Sequence, residues 1–206
     1  MLYACLQLKI KPKILYLSSG EIFGSNQLSK KNEGSRYKID NYYSECKIKS
    51  CELIKLFRYK YDFFIVNIIA YNHESIFTPQ NHLLRKMIDL FENKKKNKLV
   101  IYNPGDYRNI SHTYDLLPLI YKSLDIKKCD DFIFANDENI SLKRVISIIN
   151  RFYGKSVKFK YNKQKILSRM ADNTKIKKIF NYSPNFSAEK IILRMISYHR
   201  KKFFIQ

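Results

Sequence analysis

The stretch "NYYSECKIK" sets a tyrosine and a lysine four residues apart, at Tyr43 and Lys47. Taking a proton from a hydroxyl group needs a positioned base, and a tyrosine serves only when its phenolate is stabilised. An ammonium one helical turn away does this, because opposite charge favours the ionised form, and residues four apart share a helix face. The spacing fits an aromatic and a cation on one solvated face equally well, in a chain with 16 Tyr and 30 Lys. Other candidates stand upstream in "SSGEIFG" (18–24), with Ser19 and Glu21, and downstream in "YNHES" (71–75), with Asn72 and His73. Lys86 and Arg108 follow. Taken singly, Ser19 and Glu21 read as ordinary loop residues, His73 as a structural histidine, and Lys86 and Arg108 as solvated cations.

The elements that must position these residues follow from periodicity. "KILYLS" (13–18) and "FFIVNIIA" (63–70) are short apolar runs of the kind found in strands buried on both faces, and "DFIFAN" (131–136) is a third. Between the first two, residues 41–61 repeat apolar positions at three- and four-residue steps, through Cys46, Ser50, Leu53, Ile54 and Phe57, which predicts a helix packing that face. Helices are also predicted over 81–91, over 113–124 (kinked or started late by Pro118), from a Ser141 cap to Gly154, after Asp172, and after Ser187. "LVIY" (99–102) and "VKFKY" (157–161) read as short strands. Alternating strands and helices imply an α/β domain with a largely parallel sheet, whose sites lie at the carboxyl ends of strands. Ser19 and Glu21 fall at one such end, Asn72 and His73 at another, and Tyr43 and Lys47 on the helix between.

Composition narrows the class. With 206 residues, 45% of them hydrophobic and 28% charged, the chain can bury a core. No apolar run approaches the ~20 residues of a membrane span, and the first residues do not read as a signal peptide. The cysteines (Cys5, Cys46, Cys51, Cys129) lack C-x-x-C spacing, which argues for a reduced cytoplasmic setting with no metal site and no disulfide framework. The formal charge of +21 raises nucleic-acid binding. The basic residues are scattered, however, with one dense run at 93–98, whereas clustering is the footprint of such binding. The abundance of Lys, Ile (27) and Asn (17) reads as an AT-rich coding bias, and no nucleic-acid partner is expected.

Taken in order, the motifs resemble the extended short-chain dehydrogenase/reductases that act on nucleotide sugars. "YNHESIFTPQNHLLRKM" is similar to the Asn-His-Glu-Ser…Arg-Lys segment of the GDP-mannose 4,6-dehydratase family, without a gap. "YNPGDYRNISHTYDLLPLIY" and "DNTKIKKIFNYSP" resemble two further segments of that family. The resemblance implies a dehydratase that oxidises the sugar at C4, eliminates water across C5 and C6 and returns hydride to C6, with NADP as cofactor. It assigns Tyr43 as the base, Lys47 to the phenolate and the nicotinamide ribose, Ser19 to the reacting oxygen, and Glu21 to the C5 proton. Asn72, Lys86 and Arg108 would hold the substrate's nucleotide, and His73 would approach the cofactor. The implied substrate is a nucleotide sugar, GDP-mannose within this family.

The sequence also departs from the family. Its five glycines form no Gly-x-x-Gly-x-x-Gly turn, the device that grips a cofactor pyrophosphate. The expectation is the C-terminal part of a Rossmann-like fold, a parallel sheet with helices and a small substrate-binding subdomain. Roughly 120–130 residues, the first mononucleotide-binding half, would be missing. "KILYLS" would then keep an open edge. Residues 1–70 would form the second half of the Rossmann-like domain with the catalytic residues, and 71–206 the interleaved substrate-binding region. The expected partners are a second copy of the chain or a complementing N-terminal half. Phe77 and Thr78 replace family arginines that reach cofactor at a subunit contact, and Asn162–Lys165 replace an Arg-Pro-x-Glu that helps bind guanine nucleotide. A catalytically inactive remnant that binds a nucleotide sugar or a partner subunit is the alternative.

Overall fold

The computed structural model of the chain describes residues 1–25, 29–92, 100–101, 103–154, 160–161 and 168–203. In chain order the elements are α1 (Leu2–Gln7), β1 (Ile14–Ser19), a 3-10 turn (Gly20–Phe23), α2 (Tyr42–Tyr61), β2 (Ile65–Ala70), β3 (Asn72–Glu74), α3 (Leu83–Glu92) and β4 (Val100–Ile101). They continue with β5 (Tyr107–His112), α4 (Thr113–Ser123), β6 (Asp131–Phe134), β7 (Asn139–Ser141), α5 (Leu142–Tyr153), β8 (Lys160–Tyr161), α6 (Thr174–Phe180) and α7 (Ala188–Phe203). The predicted basic run 93–98, much of the strand predicted over 157–161, and the replaced guanine-binding positions 162–165 lie outside the described residues.

The expected parallel sheet is present, in the order β1-β2-β6. β1 runs beside β2 from Ile14 opposite Ile65 to Ser19 opposite Ala70, and β2 beside β6 from Asn67 opposite Asp131 to Ala70 opposite Phe134. Among the described residues β1 pairs with β2 alone. All six residues of β2 are buried, because helices cover both faces, as a parallel sheet requires. Ile65 and Ile69 pack toward α2, against Ile54 and Phe57 and against Ile48 and Cys51 respectively. Val66, Ile68 and Ala70 pack toward α4 and α6, against Leu116, Leu119, Ile176 and Phe180. Arg58 clamps α2 to the sheet: it donates to Asp131 at 2.7 Å, to the Ile65 carbonyl at 2.7 Å and to the Asp130 carbonyl at 2.9 Å.

The buried face of α2 differs from the expected one. Ser44, Ile48, Cys51, Ile54 and Phe57 are buried, whereas Cys46 is exposed and Ser50 half-buried. A capping box fixes the helix start. Asn41 and Ser44 cap each other, Ser44 N donating to Asn41 Oδ1 at 2.8 Å and Asn41 N to Ser44 Oγ at 3.1 Å. Cys51 then reaches Ser18 on β1, sulfur to hydroxyl 3.2 Å.

A second core forms where α3, α5 and α7 pack together, around Met87, Ile88, Val145, Ile149, Ile192 and Met195. Three short strands that periodicity did not announce, in the order β3-β5-β7, bring this core to the main sheet. Asparagine amides join the two parts. Asn136 N donates to Asn109 Oδ1 at 2.7 Å, and Asn136 Nδ2 donates to the carbonyls of Ile110 and Phe186 at 2.9 and 2.8 Å. Both side chains are buried, where an unmatched amide would cost about 1–3 kcal/mol. These asparagines are therefore structural, whatever the codon bias. No helix among the described residues is long and apolar enough to cross a membrane.

α4 starts at Thr113, five residues before Pro118, so a late start does not occur. Its cap is His112, whose Nδ1 accepts from Tyr114 N at 3.1 Å and whose ring stacks on Phe186 at 4.3 Å. An accepting Nδ1 requires a neutral ring. Burial and the Arg194 charge hold the His112 pKa below its usual value, against an opposing pull from Asp115. A lowered folded pKa means that the unfolded chain binds the proton first, so stability falls as pH drops below ~6.5. His112→Asn keeps a capping acceptor without the titration. Its melting temperature is predicted to fall less between pH 7.5 and 5 than that of the parent; parallel pH profiles would show that His112 is not the group responsible.

Candidate active site

The carboxyl ends of β1 and β2 open onto a cleft of about 600 Å³. Ser19, Glu21 and Tyr43 line it together with Asn72, His73, Lys86 and Arg108. Seven of the eight residues singled out by sequence thus meet around one space. The eighth, Lys47, is not part of the lining. Its ammonium donates to the Leu17 carbonyl at 2.8 Å and stands 4.9 Å from the Tyr16 ring centroid and 5.8 Å from that of Tyr43.

Ser19 ends β1 and caps the 3-10 turn, its Oγ accepting from Glu21 N at 3.2 Å. The hydroxyl keeps its own proton to donate. Gly20 is required by close approach: a Cβ there would stand 2.7 Å from the Tyr71 ring. That buried ring donates its hydroxyl to the Met170 carbonyl at 3.2 Å, so the ends of β1 and β2 and the segment before α6 meet at one point. Glu21 faces Arg169, Oε1 to Nη1 3.3 Å, and accepts from Asn41 Nδ2 at 3.4 Å. Tyr43 lies in the first turn of α2, half-exposed toward the cleft.

β3 carries Asn72 and His73. His73 Nδ1 lies 3.0 Å from the Tyr71 carbonyl; a carbonyl only accepts, so Nδ1 carries the proton and Nε2 is left as an acceptor. The Arg-Lys pair on α3 divides its work. Arg85 turns inward to Asp89 at 2.7 Å and to His199 of α7 at 2.7 Å, while Lys86 is exposed on the cleft wall. Arg108, on β5, is 8% exposed and donates to the Tyr107 carbonyl at 2.9 Å. Burial, then the neighbouring Arg169 charge, lowers its pKa to about 10, against the opposing pull of Asp106 and Glu21.

Arg169, Asp106 and Tyr71 also line the cleft. None announced itself in the sequence. Arg169 lies just beyond the short β8 and before α6, with no motif around it. Asp106 reads as an ordinary turn residue, although the turn buries it.

The cofactor implied by the resemblance fits these residues only in part. Tyr43 and His73 on the cleft wall, with Lys47 behind Tyr43, suit the nicotinamide end of a dinucleotide. Its pyrophosphate needs a glycine-rich turn before a helix N-terminus, and none of the five glycines supplies one. Gly20 is packed under Tyr71, Gly24 leaves the 3-10 turn at φ +78°, Gly34 and Gly105 lie in turns, and Gly154 ends α5 at φ +61°.

Known proteins share this architecture. The chain superposes on DesIV, a dTDP-glucose 4,6-dehydratase from Streptomyces venezuelae with NAD and TYD bound, with a TM-score of 0.85 at 16% identity, covering 99% of this chain and 64% of that one. It superposes equally on the UDP-glucuronic acid 4-epimerase of Bacillus cereus in complex with UDP-glucuronic acid and NAD, with a TM-score of 0.85 at 18% identity over 98% of this chain and 65% of that one. At such identities the likeness is one of fold. In sequence, the chain is 23% identical to the GDP-mannose 4,6 dehydratase of Cricetulus griseus and 22% identical to that of Homo sapiens, in each case over 167 residues, 80% of this chain. It spans 45% of the length of these curated relatives. A family model described as GDP-mannose 4,6 dehydratase matches residues 1–195, and the chain therefore belongs to that family.

Proposed function

We propose that the cleft binds a nucleotide sugar and that this chain supplies the substrate-binding and proton-transfer residues of a 4,6-dehydratase, with GDP-mannose as substrate. The observation that carries this reading is the meeting of Ser19, Glu21 and Tyr43 with Lys86 and Arg108 around one strand-end cleft. In this reading the cations take the diphosphate, Arg108 foremost. Its partly desolvated guanidinium gains most from an arriving anion.

The sugar lies toward the β1 end. Tyr43 takes the hydroxyl proton at C4, with the Lys47 ammonium 5.8 Å from its ring centroid. Ser19 donates a hydrogen bond to the same sugar oxygen. Glu21 removes the proton at C5 once C4 is a carbonyl, since the carbonyl stabilises the charge left on carbon. NADP is the proposed cofactor, and its chemistry when bound is the oxidation at C4. A cytoplasmic setting, a homo-oligomer or a complementing N-terminal half, and the division at residue 70 belong to the same proposal. A second reading keeps sugar-nucleotide binding without turnover. It is favoured by Lys47 pointing to Leu17.

Two outcomes test this. Lys86→Ala and Arg108→Ala should each weaken GDP-mannose binding in titration calorimetry by ~1.5–3 kcal/mol, the worth of a charge-assisted hydrogen bond; unchanged affinity in both rejects the nucleotide site. Finally, a polypeptide of these 206 residues should give no measurable heat with NADPH. Micromolar binding would overturn the argument from the missing glycine turn.

A further inference from the structure

Arg169 is fixed by its backbone. Its N–H donates to the Tyr107 carbonyl at 2.9 Å, and Tyr107 N donates to Ser168 Oγ at 3.0 Å. The residue is thus tied beside the start of β5, one position from Arg108. Its side chain is 22% exposed, and Nη1 lies 3.3 Å from Glu21 Oε1. Its Nε–H is buried and meets no acceptor among the described residues. Two guanidinium groups therefore share one cleft wall. One is desolvated, and the other is held by a single long contact to the carboxylate proposed as the C5 base.

Such a contact is a weak use of an arginine. The guanidinium fork matches a phosphate with two parallel hydrogen bonds, and one monodentate pair with Glu21 leaves Nε unused. A diphosphate brought in by Lys86 and Arg108 offers more charge and more acceptor oxygens than Glu21 does. We propose that Arg169 is a further anion-binding residue of this cleft whose partner without ligand is Glu21. Phosphate binding recruits the arginine and releases the carboxylate for its work as a base. This rests on reading the cleft as a nucleotide-sugar site. It makes Glu21 a competitor of the nucleotide, although the nucleotide does not touch it.

The test uses GDP, which has no sugar to meet Glu21 directly, and measures its affinity for the full chain by titration calorimetry. Arg169→Gln should weaken binding about tenfold. Glu21→Gln should tighten it about threefold or more, and should have no effect in the Arg169→Gln background, because the two residues compete through one guanidinium. Arg169→Met, which keeps the apolar stem, replaces the glutamine variant if circular dichroism shows that variant unfolded. Tightening by Glu21→Gln of equal size in both backgrounds would reveal plain repulsion of the phosphates and overturn the proposal. So would unchanged affinity in Arg169→Gln. In that last case a loss of GDP in Arg108→Ala leaves the cleft reading standing, whereas no GDP binding by the parent, or none lost in Arg108→Ala, removes that reading and this inference together.

Discussion

Every residue of β2 is buried, and both of its edges are paired, so the side chains of Ile65–Ile69 do not open to a ligand. With α2 on one face and α4 and α6 on the other, only the strand ends are open, and Ala70 at the end of β2 lines the cleft. Chemistry is confined to the carboxyl ends, where the chain leaves the ladder and successive residues can face solvent. Tyr71 takes the first position beyond β2 and turns its ring under Gly20. That packing fixes the spacing between Ser19 and Glu21 on one side and Asn72 and His73 on the other. The polar network is equally dry: Asn136, just past β6, donates into β5 and to the segment before α7. The wall carrying Arg108 is thereby locked to the wall carrying Ser19. A lost amide in that network would loosen the site as well as the fold.

The electrostatics follow from this confinement. Lys86, Arg108 and Arg169 face the cleft with Glu21, Glu74 and Asp106. Asp106 and Glu74 are 1% and 2% exposed, and each keeps one carboxylate oxygen without a hydrogen bond among the described residues. Formal charges among these six residues balance.

The sheet was legible in the sequence because its strands are dry. Uninterrupted apolar runs at β1, β2 and β6 leave little choice of element, and the capping residues Ser141 and Ser187 begin their helices as their chemistry suggests. β3, β5 and β7 were not legible. "NHE", "YRNISH" and "NIS" carry no apolar run, and they become strands because they pair with each other and are fastened by asparagine side chains from distant segments. The face of α2 was read correctly at Ile54 and Phe57 but not in its first half, where Ile48 and Cys51, and not Cys46 and Ser50, pack against Ile69. In the site, residues with a motif around them were found, and Arg169 was not. Its role depends on a position that only tertiary structure creates, some 60 residues along the chain from its neighbour Arg108.

The central claim is that this cleft holds a nucleotide diphosphate at Arg108 with its sugar toward Ser19, Glu21 and Tyr43. A crystal structure of the chain with GDP-mannose tests it most directly. The account predicts phosphate oxygens within ~3 Å of the Arg108 guanidinium and the Lys86 ammonium, hydrogen-bond distance for charged pairs. The hexose should lie between the Tyr43 hydroxyl and the Glu21 carboxylate. A nucleotide seated outside the cleft, or one entering it with the sugar directed away from β1, would contradict the account.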